Sequence, residues 1–525
     1  MANAAARPCS KGAIAAARAD PACAASAKPW VLTATILASS IAYIDESVVN
    51  VALPAIETDL ATTVVVIQWI INGYTLCLSA FLLVGGAAGD RFGRRRLFVI
   101  GLSVFAAASL WCGFSPSITQ LISARAVQGL GAALLIPSSL ALIGAMFDEN
   151  ERGKAIGTWA GFSALAAAAG PLLGGWIVDH FSWRWIFLIN PLLALPTIWI
   201  AYLRVPETRD PDAKSGLDWP GTLLALASLS SFAYGLMTWP ASGWNDSLVL
   251  TSLFGGLALF VAFLWVEYRS RAPILPLALF FRSRAFSAVN LLTLLLYSAL
   301  GGALFFVPFA LIQVHGYPAT LAGAAFLPFT IIMAGLSRWA GGLLDRFGAR
   351  LPLIIGPAIA AVGFGLMALT VPRGPYFIFL LPIVVLGFGM VISVAPLTTT
   401  VMNSVPVHQA GVASGINNAV ASVANLLAVA ILGAVALAVL DHALDQRLAT
   451  DLSSVVKQAL SRARDSFVVE PSLAGLQAAD RQIAEEIIKS ALAESMQVAM
   501  FIAAALALAG AAVGGLIPRS IEQPK

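Results

Sequence analysis

The chain has 525 residues, of which 59% are hydrophobic and only 11% are charged, and its mean hydropathy is +0.85. A soluble globular protein carries about 25% charged residues, so the composition excludes an ordinary soluble fold and predicts a protein embedded in a lipid bilayer. The formal net charge of +4 does not indicate a nucleic-acid partner, because the basic residues lie in short loops between apolar segments.

In chain order, the Ala-rich residues 1–28 are predicted to form a disordered cytoplasmic tail. Apolar runs of about 20 residues then recur to Ile517, each long enough to cross a hydrocarbon core of about 30 Å as a helix. The predicted fold class is an all-α polytopic membrane protein with about fourteen transmembrane helices. They are predicted near residues 30–54, 65–89, 97–114, 118–146, 154–178, 185–204, 219–239, 247–267, 286–312, 320–343, 352–371, 376–402, 409–437 and 494–517.

The loops alternate in charge along the chain. The loop after the second predicted helix carries Arg91, Arg94, Arg95 and Arg96, and the other loops on that side are also basic, whereas the short loops of the opposite side carry only Arg184 and Arg373. Basic loops face the cytoplasm. We therefore expect a multi-pass protein of the cell (inner) membrane with both termini in the cytoplasm.

One long segment, residues 441–493, separates the last two predicted helices. Its stretch RQIAEEIIKSALAES has helical periodicity, which predicts a helical excursion on the outer face. A structural role and a partner-binding role both fit this segment, and we favour the structural one.

A short repeat divides the chain. GAAGDRFGRRR begins at Gly86, and a weaker copy, GLLDRFGAR, ends at Arg350. Repeated halves around a site at the bilayer midplane are typical of secondary transporters. The spacing predicts an N-terminal six-helix half (29–205), two extra linker helices (206–284) and a C-terminal six-helix half (285–525), so that the helices are arranged as 6+2+6.

These two copies resemble the cytoplasmic signature of the major facilitator superfamily. The resemblance implies gating residues Gly86, Asp90, Arg91, Gly93, Arg94 and Arg95 in the first copy, and Gly341, Asp345, Arg346, Gly348 and Arg350 in the second. It also implies that Asp90 faces the N-terminus of a helix in the other half, which would begin near residues 409–411 and whose dipole favours an anion. The alternative is a basic anchor that only sets the topology.

Two further motifs point to the same family. LISARAVQGLGAALLIPSS places Arg125 inside the fourth helix and resembles the second motif of the superfamily, in which the arginine is linked to proton transfer. An arginine that snorkels to the surface is the alternative. In the fifth helix, Gly170, Pro171, Gly174 and Gly175 resemble the antiporter motif of exporters, although small residues that only pack helices closely, together with Gly157 and Gly161, would give the same pattern.

The first helix contains IDESVVNVALP, from Ile44 to Pro54. A carboxylate near the bilayer centre costs roughly 2.5–3.5 kcal/mol, so two adjacent ones require a use. The stretch resembles the first-span signature of the 14-span drug:proton antiporters, the EmrB/QacA type, at Asp45 and from Asn50 to Pro54, and departs from it at Glu46 and Ser47. The resemblance implies that Asp45 handles the proton, and we expect it to face a central cavity.

Glu46 is left with three interpretations: a second titratable group, a partner for Arg125, or a structural acid bonded to a neighbouring helix. Adjacent helical residues point about 100° apart, so Glu46 shares a face with Asn50 rather than with Asp45. Polar residues in the second half are expected either to line the cavity or to bond helices together: Asn290, Asn417, Asn418 and Asn425.

The expected function is a proton-coupled efflux transporter that exports hydrophobic or cationic small molecules by alternating access. A proton-coupled uptake symporter for a metabolite and a non-transporting membrane sensor are the alternatives. The sequence shows no nucleotide-binding loop, metal-ligand cluster or nucleophile–base spacing. We therefore expect no enzyme, no catalytic residue, no metal and no cofactor. The expected partners are the small-molecule substrate, protons and, as a candidate, a periplasmic adaptor protein.

Overall fold

The computed structural model describes residues 21–147, 149–209, 218–270, 273, 275–372, 376–405, 410–448, 452–465 and 467–518. Its helices are α1 (Pro21–Asp59), α2 (Val64–Phe92), α3 (Arg94–Gly113), α4 (Ile118–Met146), α5 (Glu149–His180), α6 (Trp185–Arg204), α7 (Trp219–Ser242), α8 (Ser247–Arg269), α9 (Ala278–Arg282), α10 (Arg284–Phe309), α11 (Ala319–Ala324), α12 (Leu327–Gly341), α13 (Leu343–Phe347), α14 (Arg350–Thr370), α15 (Tyr376–Asn403), α16 (Ala410–Leu448), α17 (Ser454–Arg462) and α18 (Ala478–Gly514).

Within these described residues, fourteen helical spans are long and apolar enough to cross a membrane. The tenth combines α11 and α12, and the ninth extends α10 through a π-helical turn at Ala310–Val314. The all-α, fourteen-span prediction is confirmed.

The helices group as two halves. In the first half, α2 and α3 pack against α4, and α5 packs against α1. In the second half, α18 packs against α10 and α14, which in turn pack against α16 and α15, respectively. The extra helices α7 and α8 pack together, and α7 lies against both α2 and α16. Ala233 and Met237 of α7 share an apolar cluster with Ala430 of α16. The linker pair therefore covers one seam between the halves.

Two predicted boundaries are wrong. The tenth helix, predicted as one segment over 320–343, is interrupted between α11 and α12, where Pro328 at the start of α12 has no backbone N–H to continue the ladder. The excursion predicted over 441–493 is shorter, because α16 continues to Leu448 and α18 begins at Ala478. The stretch RQIAEEIIKSALAES, predicted to belong to the helical excursion, is the first part of the last span.

The shortened excursion is helical, as predicted, and its apolar residues join the large core that contains α10 and α18. Phe467 packs against Phe306 and Phe309 with ring centroids 5.8 and 5.7 Å apart, and the Val469 amide donates to the Gln313 side chain at 3.1 Å. Arg464 pairs with two acids on the extended end of α16, Asp441 at 2.6 Å and Asp445. These contacts explain why α16 stays helical beyond its apolar span.

The molecule has two ends that carry different loops. The end that carries the DRFG loops, at Gly93 and Gly348, is called the signature face. The end that carries the excursion is called the opposite face.

Candidate functional site

The Asp45 carboxylate lies at the centre of a buried polar network. Its Oδ2 atom accepts a hydrogen bond from Arg125 Nη1 at 2.5 Å, and its Oδ1 atom accepts from Gln128 Nε2 at 2.9 Å and from Asn190 Nδ2 at 2.6 Å. The Asp45 side chain is 0% exposed and that of Arg125 is 1% exposed. A carboxylate can be buried as an ion only when it is paired and bonded in this way.

The Arg125 guanidinium is held on every side. Its Nε atom donates to the Ile70 carbonyl at 3.2 Å, and Nη1 also donates to Gln128 Oε1 at 2.7 Å. The guanidinium lies over the Tyr74 ring, 4.3 Å from its centroid, where the π face attracts the cation. The interpretation of Arg125 as a snorkelling surface residue is therefore wrong.

A serine completes the network on α3. Asn190 Nδ2 donates to Ser109 Oγ at 2.9 Å, and Ser109 in turn donates to the Phe187 carbonyl at 2.9 Å. The network thus joins α1, α2, α3, α4 and α6, which all belong to the N-terminal half.

Close helix packing brings these groups together. Arg125 and Gln128, three residues apart, share one face of α4. A Cβ added at Gly129 would overlap the Tyr74 carbonyl on α2, and one added at Gly131 would overlap the Phe105 backbone on α3. Because the glycines let α4 touch both neighbours, the arginine head can reach the carboxylate on α1.

The position of Asp45 differs from the prediction. Its carboxylate does not face a cavity between the halves but is enclosed within the N-terminal half. Glu46 does not form an ion pair with Arg125, because the described ion pair of Arg125 is with Asp45, but it lies within electrostatic range of the guanidinium.

Glu46 lies on a different side of α1. Helix geometry places Tyr43, Glu46 and Asn50 within an arc of about 60° that begins about 100° from Asp45, and all three are half-buried. Tyr43 is within electrostatic range of Glu46 and of Tyr297, which lies on α10 in the other half. This side of α1 therefore faces the seam between the halves.

The Glu46 carboxylate has no hydrogen bond or ion pair to any residue that the structure describes. The Asn50 amide donates to the Glu46 backbone carbonyl at 3.2 Å rather than to its side chain. The neighbouring Tyr74 hydroxyl is buried and also lacks a partner within the described part of the chain. The two adjacent carboxylates thus differ: Asp45 accepts hydrogen bonds from three side chains, whereas Glu46 accepts none from the described residues and is only within electrostatic range of Arg125.

Among the described contacts, the glycines of α5 pack against other helices at the end near the opposite face. Added Cβ atoms would overlap Ser47 at Gly170, Val48 at Gly174 and the Ala319 carbonyl of α11 at Gly175, so this half of α5 touches both α1 and the C-terminal half. At Gly157 and Gly161, nearer the signature face, an added Cβ would meet no described atom within 4 Å. The second seam is also closed toward the opposite face, where Gly433 of α16 leaves room only for the Gln68 side chain of α2.

Residues 35–429 match the family model of the Major Facilitator Superfamily. The chain belongs to this superfamily. It is therefore a transporter rather than an enzyme. It is 32% identical over 507 residues to the "Tetracenomycin C resistance and export protein" of Streptomyces glaucescens, which covers 96% of this chain and 94% of that protein.

Other members of the superfamily are similar over most of their length. The chain is 36% identical over 427 residues to the "Puromycin resistance protein pur8" of Streptomyces alboniger, covering 79% of this chain and 84% of that protein. It is 32% identical over 418 residues to the "Multidrug resistance protein Stp" of Mycobacterium tuberculosis (strain CDC 1551 / Oshkosh), covering 79% and 77%. The drug-antiporter branch suggested by the motifs agrees with these relatives.

Solved transporters share the fold. A bacterial homologue of the human lysosomal transporter Spinster, in an inward-facing and occupied conformation, superposes with a TM-score of 0.67 at 16% identity, covering 93% of this chain and 96% of that one. At this identity the likeness concerns the fold alone.

The first superfamily signature forms a tight turn. Gly93 has φ +110°, which only glycine adopts readily, whereas Gly86 lies inside α2 and makes no turn. Asp90, near the end of α2, pairs with Arg94, the first residue of α3, across this turn at 2.7 Å. Its predicted contact is with the start of the helix near residues 409–411, where residue 409 and the side chains of 410 and 411 lie outside what the structure describes, so that contact stays a prediction.

The second signature copy also contains a glycine turn. Gly348 has φ +70°, in the same left-handed region as Gly93, and provides the turn into α14. Gly341 ends α12, and an added Cβ there would meet no described atom within 4 Å. Arg346 is exposed and Arg350 half-buried, and the Asp345 side chain lies outside what the structure describes.

Glu207 was missed from the sequence. Its Oε1 atom accepts the Arg95 amide at 2.9 Å and its Oε2 atom accepts the Arg96 amide at 3.1 Å, so it caps the start of α3 from the segment after α6. A Cβ on Gly93 would collide with this carboxylate. The signature loop is therefore anchored to the segment that leads into the linker helices.

Gln128 and Asn190 were also missed, although weak signals existed. Gln128 follows Arg125 by one helical turn, and Asn190 is a polar residue inside the largely apolar sixth helix. In the other half, Asn417 Nδ2 donates to Asn290 Oδ1 at 3.1 Å and to Thr293 Oγ1 at 2.7 Å, so these asparagines join α16 to α10 rather than lining a cavity.

Proposed function

We propose that the chain is a proton-coupled exporter, a drug:proton antiporter, for hydrophobic and cationic small molecules. The observation that carries the proposal is the buried Asp45–Arg125 pair in a chain similar to proteins named for drug resistance and export. The protein would lie in the cell (inner) membrane with the signature face and both termini in the cytoplasm, as the basic loops favour.

Asp45 is the proposed proton site. A proton on this carboxylate removes one charge of the buried pair and leaves the Arg125 guanidinium uncompensated. Breaking a buried ion pair on one side changes the free energy by about 3–5 kcal/mol. Because the pair is the centre of a network that joins five helices of one half, protonation would change the packing of that half as a unit, which would couple proton binding to movement.

Glu46 is the proposed cargo contact. It faces the seam with Tyr43, opposite Tyr297 of the other half, and its carboxylate has no partner among the described residues. A carboxylate flanked by aromatic rings attracts a lipophilic cation through charge and through the π faces. Cargo and proton then occupy neighbouring but separate sides of α1.

The conformation fits the loading step of alternating access. The halves touch toward the opposite face, at Gly175 and Gly323 on one seam and at Gly433 on the other, while a Cβ at Gly157 or Gly161, toward the signature face, would meet no described atom within 4 Å. With the signature face in the cytoplasm, these contacts support an inward-open state, from which cargo would load before the halves rock to the other state.

The test is proton-driven exchange of ethidium in proteoliposomes. We expect Asp45→Asn to abolish exchange, because a neutral amide cannot carry the proton. Asp59→Asn, the same change in a carboxylate outside the network, should keep exchange at the wild-type rate. Full exchange by Asp45→Asn would refute the proton assignment, and ethidium movement in the same direction as the protons would favour the symporter.

A further inference from the structure

A carboxylate at the end of α5 bonds across the seam to the other half. Asp179 Oδ1 accepts the Ala319 backbone amide at 3.0 Å, and Oδ2 accepts the Thr320 backbone amide at 2.7 Å and the Thr320 hydroxyl. Asp179 belongs to the N-terminal half, and Ala319 and Thr320 begin the tenth span, in the C-terminal half. One side chain thus makes three hydrogen bonds between the two halves.

The contact sits where the backbones of the two halves already touch. A Cβ on Gly175, one helical turn before Asp179, would overlap the Ala319 carbonyl, and one on Gly323 would overlap the Pro171 carbonyl. The Ala319 and Thr320 amides are at the start of a helix, where N–H groups have no intrahelical acceptor. The carboxylate supplies that acceptor from the other half.

We propose that Asp179 is a positioning residue of the transport cycle, a latch that holds the opposite face closed. When the halves separate at this face, the three bonds must break, so their strength adds to the stability of the closed state. The proposal rests on the alternating-access part of the proposed function and on no particular cargo or proton site.

Asp59 provides a matched comparison on the same face. Its carboxylate pairs with Arg184 at 2.7 Å and accepts the Trp183 indole N–H at 2.9 Å. All three residues belong to the N-terminal half, so a rigid movement of one half against the other leaves these bonds intact. Asp59→Asn therefore makes the same chemical change without touching the seam.

The experiment measures the distance between the halves at the opposite face by pulsed electron paramagnetic resonance in nanodiscs. Spin labels replace Phe114 and Phe377, which are 72% and 78% exposed and lie in different halves, after the four native cysteines at 9, 23, 77 and 112 are changed to serine. We expect Asp179→Asn to raise the ratio of open to closed molecules by about tenfold, the effect of losing one charge-assisted hydrogen bond.

Thr320→Val should raise the ratio by a smaller factor, since it removes the hydroxyl donor but keeps both amides. Asp59→Asn should leave the distances of the parent protein unchanged. The latch is overturned if Asp179→Asn and Thr320→Val, both monodisperse, give the parent distribution. If Asp179→Asn does not fold, Thr320→Val alone tests the latch. A distance distribution for Thr320→Val that equals that of the parent protein would then contradict the proposal. The distances require neither cargo nor a gradient, so failure here is distinct from failure of the exporter proposal.

Discussion

The two sides of α1 give neighbouring carboxylates different burial and different hydrogen bonding. Inside the N-terminal half, Asp45 is wholly buried and receives hydrogen bonds from Arg125, Gln128 and Asn190. At the seam, Glu46 is half-buried and its carboxylate has no partner in the described part of the chain. Burial of a charge is tolerated where donors converge on it, whereas the acid at the seam is the one that we propose binds the cationic cargo.

The largest expected effect comes from removing the partner of the buried acid. Arg125→Met leaves Asp45 as an uncompensated charge and should lower the free energy of unfolding by about 3–5 kcal/mol. Urea or thermal unfolding in detergent measures this. The double variant Asp45→Leu with Arg125→Met should regain much of the stability but show no proton-driven exchange. A single variant as stable as the wild type would mean that Asp45 is not held as an ion.

An intermediate effect is expected from one neutral donor. Asn190→Ala removes one of the two hydrogen bonds to Asp45 Oδ1 and should lower the free energy of unfolding by about 1.5–3 kcal/mol, the range for bonds to charged groups. The matched control is Asn418→Ala, because Asn418 is exposed and its loss should change stability by no more than about 0.5 kcal/mol. Equal values for the two variants would contradict the saturated network.

The smallest effect on stability, and the most selective one on binding, is expected at the seam. Glu46→Gln should change the free energy of unfolding by no more than about 0.5 kcal/mol, because no described bond is lost. Its affinity for ethidium should fall about tenfold, the loss of one charge-assisted contact, while that for an uncharged aromatic cargo stays the same. Fluorescence titration measures both, and equal losses for the two ligands would show that Glu46 shapes the pocket rather than recognising charge.

Much of the fold was predictable, because the length of an apolar run is tied directly to bilayer thickness. Fourteen spans follow from that rule. The repeated DRFG copies indicated two halves, and the motifs named the family that the comparison confirms. Helix ends were less predictable: α16 and α18 extend past the predicted apolar spans, where Arg464 and the apolar residues of the excursion pack against them.

The candidate site was only partly predictable. The sequence by itself determined that Asp45 and Glu46 point about 100° apart and that Arg125 lies inside the fourth apolar run, but left open whether its head snorkels to the surface. It could not determine how α1 is rotated about its axis, and that rotation decides which acid is buried and which faces the seam.

Only the tertiary structure placed Asn190, 145 residues from Asp45 in the chain, against the same carboxylate, and Asp179 against the first amides of the other half. Helical periodicity sets the angles between side chains within one helix. Which neighbour each side chain meets depends on packing between helices far apart in sequence, through glycines such as Gly129 and Gly175 whose missing side chains let the backbones touch.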